Sequence, residues 1–457
     1  MCLPVQLLAM KIIIIGAGPG GYETALEAAK RGHEVTLFNG GRLGGTCLNE
    51  GCIPTKCLCR NAEMVAAFKE ADKFGIDDFS FTFDFNKVID RKNEVTDTLR
   101  AGIDTMLRGA KVEVVDAMAA FKDPYTVTAD GKDYSADKII IATGSVSRSL
   151  PIEGSELECV KNSTQMLDLD YIPESLTIIG GGVIGMEFAG IFASFGSKVT
   201  VIEFMKQILP PFDADIAKRL KQTLAKKGIE IITGAAARKI EQNADYEICV
   251  TYEAKGKEAT VVSTDLLMAV GRSPRVDGLN LEAAGVEFTA KGIPVDDSMR
   301  TNVGHIYAIG DVNARMMLAH VASFQGLRAL NHIEGKSDDI RFDIVPSAVF
   351  VVPECGMVGL TEAQCKEKGI DVMKGMSFFR ANGKALALGE PDGICKLLFN
   401  KSDRRLVGAH IMGAGAADLA QQCADMMNAD ITLDAMRDVI FGHPTLSEVI
   451  LSAAHNA

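Results

Sequence analysis

The chain has 457 residues, 47% hydrophobic and 24% charged, with a formal net charge of −12. That length exceeds one core and implies two to four domains. Acidic and basic residues are interspersed, which argues against nucleic acid or an anionic membrane as partner, and no apolar run reaches the length of a membrane span.

The 11 cysteines fall at irregular spacings and do not read as a secreted disulfide scaffold. The expectation is a reducing cytoplasm, where a close cysteine pair is catalytic rather than structural. Met1 to Met10 is apolar but lacks a basic leader and a cleavage site. It reads as a short extension, with Met10 as an alternative start, and not as a signal peptide.

Lys11 to Ile15 has the composition of a buried parallel strand. Gly16, Gly18 and Gly21 follow as Gly-x-Gly-x-x-Gly, then a helix from Tyr22 to Arg31 and a strand from Glu34 to Phe38. In that context the glycines permit a tight turn, close approach of a pyrophosphate and close helix–strand packing, which makes this a dinucleotide-binding unit. Asn39 stands at the end of the second strand, where a carboxylate usually takes the ribose hydroxyls, and is a weaker, neutral ribose partner.

Gly44 to Lys56 holds Cys47 and Cys52 at a loop-to-helix junction. Pro54 suits the first turn of a helix. Cys52 then sits at the positive helix end, which favours its thiolate, and Cys47 is near enough to bridge to it. The pair reads as a dithiol/disulfide switch. Cys57 and Cys59 extend it to four cysteines, but the spacing lacks the paired Cys-x2-Cys of common zinc sites, so no metal is expected. They read as small buried residues on the following helix.

The dinucleotide unit then recurs. A strand at Leu176 to Ile179, Gly180, Gly182 and Gly185, a helix from Met186 and a strand ending at Glu203 repeat the pattern. A carboxylate at Glu203 binds both ribose hydroxyls and repels a 2′-phosphate, which favours NAD over NADP. Each unit also ends in a strand and glycine turn, at Thr143-Gly144 and at Gly271-Arg272. Two such units imply two dinucleotides, and a nicotinamide beside a flavin is the productive pairing. Ile306 to Asp311 is a strand ending in Gly-Asp, and Asp311 could cap a helix or hold a ribityl hydroxyl. A helix from Met317 to Ile333 could turn its first amides toward an anion. From Arg341 short alternating strands and then helices form a third kind of domain, ending in His443-Pro444-Thr445-Leu446-Ser447-Glu448.

With these motifs in this order, the chain from about Lys11 onward resembles the class I pyridine nucleotide–disulfide oxidoreductases. The resemblance implies an α/β fold with two Rossmann-like FAD- and NAD-binding domains and an α+β C-terminal dimerisation domain. The expected division is 1–147 for FAD, 148–274 for NAD, 275–342 completing the FAD site and 343–457 for the interface. Cys52 would be the thiolate next to the flavin and Cys47 the interchange thiol. Lys56 and Glu187 would pair near the flavin. Asp311 would bind the ribityl chain, and His443 would be the acid/base, oriented by Glu448 and serving the other subunit. FAD binding would draw on Gly16, Gly18, Gly21, Asn39, Gly45, Thr46, Lys56, Thr143, Gly144, Asp311, Met317, Leu318, Ala319 and His320. NAD binding would draw on Gly180, Gly182, Val183, Ile184, Gly185, Glu187, Glu203 and Gly271.

The implied reaction is oxidation of protein-bound dihydrolipoamide by a cytoplasmic homodimer. Its partner would be the lipoyl-bearing protein of a 2-oxoacid dehydrogenase complex or of the glycine cleavage system. The alternatives are an NAD(P)H-dependent reductase of another small disulfide, and a flavin NADH oxidase or transhydrogenase without disulfide chemistry. Three departures from the family pattern stand out: Asn39, Arg275 in place of Asn, and Phe441 where a histidine often precedes the catalytic one. Thr445-x-x-Glu448 also fits a capping box, a role compatible with the dyad. The remaining histidines form no ligand spacing.

Overall fold

The computed structural model describes residues 9–78 and 80–457. Residues 1–8 of the expected N-terminal extension, Cys2 among them, lie outside the described residues. The chain divides into two compact units, each made of separated segments. One takes the chain up to Cys57, 86–148 and 271–340; the other takes 58–85, 149–270 and 341–457.

The first unit is built on a five-stranded parallel sheet, ordered Ile306–Ala308, Lys138–Ile141, Lys11–Ile15, Glu34–Phe38, Glu113–Val115. Lys11–Ile15 is central, and its four isoleucines are all buried. Full burial of an isoleucine is worth about 2 kcal/mol, so a sheet covered on both faces wants the continuous apolar run seen there. The chain leaves this strand toward one neighbour and returns later on its other side. That reversal of strand order is where an α/β sheet opens a crevice at its carboxyl edge. A three-stranded antiparallel meander, Ala120–Asp123, Thr126–Ala129 and Lys132–Ser135, packs Phe121, Val127 and Ala129 into the same core.

In the second unit the order is Glu230–Thr233, Lys198–Glu203, Ser175–Ile179, Asp265–Met268, Val160–Lys161, again parallel. A second antiparallel meander spans residues 235–263. The 341–457 segment contributes a five-stranded antiparallel sheet with the Ala416–Asn428 and Glu448–His455 helices packed on it. The segment between Pro151 and Pro173 contains the Val160–Lys161 edge strand and a short capped helix at Ser163–Leu167.

Both nucleotide-unit helices start earlier than the glycines suggest, at Pro19 and Val183 instead of Tyr22 and Met186. Proline at the start of a helix has its φ already set, and the glycines adopt helical dihedrals where Ala322 packs on Gly20 and the Gly16 and Gly180 carbonyls close on Gly21 and Gly185. Conversely, the helix expected from Met317 begins at Ala319.

Lys396 lies in the Ile394–Asn400 strand with 1% exposure. Its ammonium donates to Asp213 at 2.8 Å, Asp215 at 2.7 Å and Glu362 at 2.7 Å. Asp213 also accepts the Glu362 N–H at 3.1 Å and caps the Ala214–Lys226 helix. Burial alone would lower the Lys396 pKa; the three carboxylates outweigh it and hold it above the ordinary lysine value. Asp213 and Glu362 are held below theirs. The contribution is therefore present across neutral pH, falls as acid protonates the carboxylates at their depressed values, and falls again only in strong alkali. K396M leaves buried Asp213 without its cation and is expected to lose about 3 kcal/mol, read as a lower urea midpoint.

Candidate functional site

The first glycine cradle is set by backbone geometry. Gly16 has φ +111°, and a methyl there would lie 2.3 Å from the Ala142 carbonyl oxygen; one on Gly21 would lie 1.8 Å from that of Gly16. Both positions are closed to any side chain. Gly18 differs: it caps the Pro19–Lys30 helix without a side-chain hydrogen bond, and a methyl there meets only the Gly45 Cα at 3.9 Å. The first amides of the helix are left uncovered by any cap.

A second helix start stands beside it. Gly20 packs on Ala322, and Thr24 packs on Gly326, so the Pro19–Lys30 and Ala319–Ile333 helices run parallel with their N-termini adjacent. Leu318 caps the second helix and also offers no side-chain bond. Two positive helix ends at one edge are suited to an anionic ligand.

Cys47 and Cys52 lie in two helices, Gly45–Glu50 and Cys52–Lys69, not in a loop and a helix. Gly51 breaks the path between them, with φ −149° and ψ −109°. Cys52 is the first residue of its helix and Pro54 lies in that first turn. Cys52 is exposed and Cys47 half-buried. The hydrogen bond with Cys52, and then burial, push the Cys47 thiol well above its ordinary value, while Lys56 pulls the other way. In the reduced pair Cys47 keeps its proton. Cys57 and Cys59 are buried, and no metal-binding cluster of His, Cys, Asp and Glu occurs among the described residues.

Asp311 follows Gly310 at the end of the Ile306–Ala308 strand and accepts the Ser145 hydroxyl at 2.5 Å. Arg272 in turn donates to the Ser145 hydroxyl at 2.7 Å and to its carbonyl at 2.8 Å. Thr143 donates to the Arg275 carbonyl at 2.7 Å, and the Arg275 N–H donates to Gly144 at 2.9 Å. These bonds use only the backbone of Arg275, so its side chain does not enter them. The Asn39 side-chain amide donates to Asp116 at 2.8 Å. A carboxylate is thus present beside position 39 after all, brought by a different strand end. Phe441 packs against the interface-domain core. Met317, Leu318 and Ala319 lead into the Ala319–Ile333 helix, and His320 is exposed on its first turn.

The second cradle repeats the first. Gly180 has φ +112° and a methyl there would lie 2.2 Å from the Ala269 oxygen; one on Gly185 would lie 1.9 Å from the Gly180 oxygen. Gly182 caps the Val183–Phe195 helix without a side-chain bond, and a methyl there meets nothing within 4 Å. The buried Glu203 carboxylate accepts the Gly181 and Met205 N–H groups, each at 2.5 Å. Val183, Ile184 and Glu187 lie in the first turns of this helix. Glu187 is buried and accepts the Phe350 N–H at 3.0 Å. Gly271 lies at the turn before Arg272, with φ +104°.

His443 Nδ1 and Glu448 Oε1 are 3.0 Å apart. Ionised carboxylate can only accept, so Nδ1 carries the proton and Nε2 is left as the basic nitrogen. The other Glu448 oxygen accepts the Thr445 N–H at 3.0 Å, and that bond, followed by His443, holds the Glu448 pKa down. The expected capping box is only half formed: Thr445 turns its hydroxyl to the Gly442 carbonyl, and Ser447 takes the N-cap position.

Sequence reasoning missed Asp116, Ser145 and the role of Arg272. Ser145 and Arg272 directly follow Gly144 and Gly271, so adjacency to the two glycine turns was the available signal. Nothing local marked Asp116.

A second dinucleotide cradle has chemical use when electrons move between the two ligands, and a paired thiol at a helix start gives them a further destination. The class so defined is the dinucleotide-dependent disulfide oxidoreductase. A family model described as pyridine nucleotide-disulphide oxidoreductase matches residues 10–326, and one for the dimerisation domain of that family matches residues 345–454. The chain belongs to this family, and its cofactors are FAD and NAD. It is 41% identical over 451 residues to a dihydrolipoyl dehydrogenase of Bacillus subtilis, covering 97% of this chain and 96% of that one. It is 40% identical over 450 residues to the dihydrolipoyl dehydrogenase of Geobacillus stearothermophilus, covering 97% and 95%. Among solved structures it is similar to the HOCl-induced flavoprotein disulfide reductase RclA from Escherichia coli. The TM-score is 0.87 at 30% identity, covering 97% of this chain and 99% of that one.

The two kinds of glycine separate experimentally. G182A has room for its methyl and an ordinary φ, so it should fold normally yet weaken NAD binding by roughly tenfold or more, about 1.4 kcal/mol, because the methyl fills the space left for a phosphate. G180A combines a positive φ with a backbone clash and should fail to give stable protein. Thermal denaturation with NAD titration distinguishes the two.

Proposed function

We propose that the protein oxidises protein-bound dihydrolipoamide to lipoamide, with Cys47 and Cys52 as the redox pair. The observation that carries this reading is the His443–Glu448 pair, which leaves Nε2 as a base in a chain that also holds the paired thiols. A reductant that arrives as a dithiol must lose a proton before it can attack a disulfide, and a histidine backed by a carboxylate does this near neutral pH. The full-length similarity to dihydrolipoyl dehydrogenases supports it.

In this reading His443 Nε2 takes a proton from one substrate thiol. The resulting thiolate attacks Cys47 of the oxidised pair, breaking the Cys47–Cys52 bond and leaving Cys52 as a thiolate at its helix end. The second substrate thiol, deprotonated in turn, displaces Cys47, which leaves protonated. Substrate has become a disulfide and the pair a dithiol, so two electrons have moved. FAD and NAD, when bound, would supply the acceptors for that electron pair, NAD taking it as hydride. Lys56 and the Cys52 helix end stabilise negative charge at the pair. Asp311 and the paired helix starts at Pro19 and Ala319 hold FAD; Gly182 and Glu203 hold NAD, the buried carboxylate disfavouring a 2′-phosphate.

The same reading assigns 1–147 to FAD, 148–274 to NAD, 275–342 to completion of the FAD site and 343–457 to the interface of a homodimer. It places the protein in the cytoplasm, with the lipoyl protein of a 2-oxoacid dehydrogenase complex or of the glycine cleavage system as partner. None of the described helices is long and apolar enough to cross a membrane.

The structural similarity to RclA favours one second reading, a reductase of a different disulfide. Initial rates with dihydrolipoamide and with reduced glutathione, each with NAD and NADP, separate the two. Dihydrolipoamide with NAD should be preferred; a clear preference for any other combination overturns the lipoamide assignment. C47S should abolish dihydrolipoamide oxidation but leave NADH-driven reduction of a dye intact. H443Q should lower the rate of dihydrolipoamide oxidation by about 10²- to 10⁴-fold while FAD content is unchanged.

A further inference from the structure

The turn residues Ser145 and Arg272 form, with Asp311, a hydrogen-bonded chain in which every proton has one possible direction. The guanidinium of Arg272 has donors only. Its Nε–H therefore points at the Ser145 oxygen, 2.7 Å away. The serine oxygen is accepting that bond, so its own O–H must go elsewhere, and Asp311 Oδ2 is 2.5 Å away. The ionised carboxylate can only accept. One oxygen of Asp311 is committed to the serine, and Oδ1 has no hydrogen-bond partner among the described residues.

The backbone fixes this arrangement. Ser145–Ser147 and Arg272–Pro274 pair as antiparallel strands, with Ser145 opposite Pro274 and Arg272 opposite Ser147. A second bond from Arg272 to the Ser145 carbonyl, at 2.8 Å, holds the guanidinium in place. Ser145 is buried, so water is a poor substitute for the missing hydroxyl if it is removed. Gly310, directly before Asp311, donates its N–H to buried Gln325 at 2.7 Å, which anchors the aspartate from the backbone side. Asp311 is thus held twice, once through its main chain and once through its carboxylate. Burial lowers the Arg272 pKa while Asp311, Glu50 and Cys52 raise it, consistent with a desolvated cation facing these three groups.

We propose that Ser145 is a positioning residue for FAD, turning the Arg272 cation into a directed hydrogen bond that spends one oxygen of Asp311 and presents the other to a ligand hydroxyl. The proposal rests on the reading of Asp311 as an FAD ligand. Arg272 belongs to the same device and acts through Ser145, not by touching the cofactor. Serine and threonine can fill the central place; alanine cannot.

The test is the dissociation constant of FAD, measured by flavin fluorescence on reconstitution of the stripped full-length protein, for wild type, S145A, S145T, D311N and the S145A/D311N pair. S145A should weaken FAD binding roughly tenfold, S145T should stay within about twofold of wild type, and the double variant should bind no more weakly than D311N alone, since the two residues form one unit. R272M should reproduce the S145A loss. A normal dissociation constant for S145A with a weakened D311N overturns the positioning role while keeping Asp311 as a ligand, and so does full additivity in the double variant. An unaffected D311N overturns the Asp311 reading, and the proposal with it. If S145A does not fold, S145T and R272M decide: the proposal requires wild-type binding from the first and the loss from the second, and any other pattern refutes it.

Discussion

The first unit depends on the lateral lock between two helices some 300 residues apart in sequence. Gly20 on Ala322, and Thr24 on Gly326, bring the Pro19–Lys30 and Ala319–Ile333 helices together in parallel. Parallel alignment puts like dipole ends side by side, which is electrostatically unfavourable for bare helices. The small residues permit the approach, and close packing offsets the repulsion. The result is a concentrated positive edge, with no side-chain cap on either helix, at the carboxyl edge of a parallel sheet. The thiol pair, Asp311 and the Thr143 turn all belong to the unit that this lock holds together.

The second unit repeats the cradle and tunes it differently. Glu203 is pinned by two backbone amides, whereas Asn39 holds its place through Asp116. The repeat is one of backbone: Gly16 and Gly180 share a φ within one degree, and the same carbonyl oxygens close on both. Where steric exclusion forbids a side chain the two units agree. At the end of the second strand they differ, with Asn39 in one and Glu203 in the other.

The fold was legible in the sequence wherever a local rule was strong. A buried apolar strand followed by a glycine triplet located both nucleotide units, with four consecutive isoleucines in the first, because burial on two faces and a positive-φ turn leave few alternatives. Cys47 and Cys52 stood out as chemistry because closely spaced thiols at a helix start are few in kind, whereas His443 and Glu448 were singled out by the resemblance to a family and not by the residues alone. The helix starts at Pro19 and Val183 were blurred, since a glycine in a helix looks like a glycine in a loop until something packs over it. The capping box at Thr445 formed only by half, because Glu448 reaches back to the Thr445 N–H while the Thr445 hydroxyl donates to the Gly442 carbonyl and Ser447 takes the N-cap position. Asp116, the Ser145 relay and the Lys396 cluster were beyond reach for one reason. Each joins residues 34 to 183 positions apart, and a contact at that range depends on the whole topology.

Gly51 has a consequence for the geometry of the thiol pair. The two sulfurs belong to separate helices, of six and eighteen residues, joined at Gly51, whose carbonyl accepts the first bond of the longer helix, from the Thr55 N–H at 3.0 Å. A Cβ at position 51 would lie 3.0 Å from the Thr46 carbonyl oxygen, so the turn that separates the two cysteines is packed closely enough to favour glycine there.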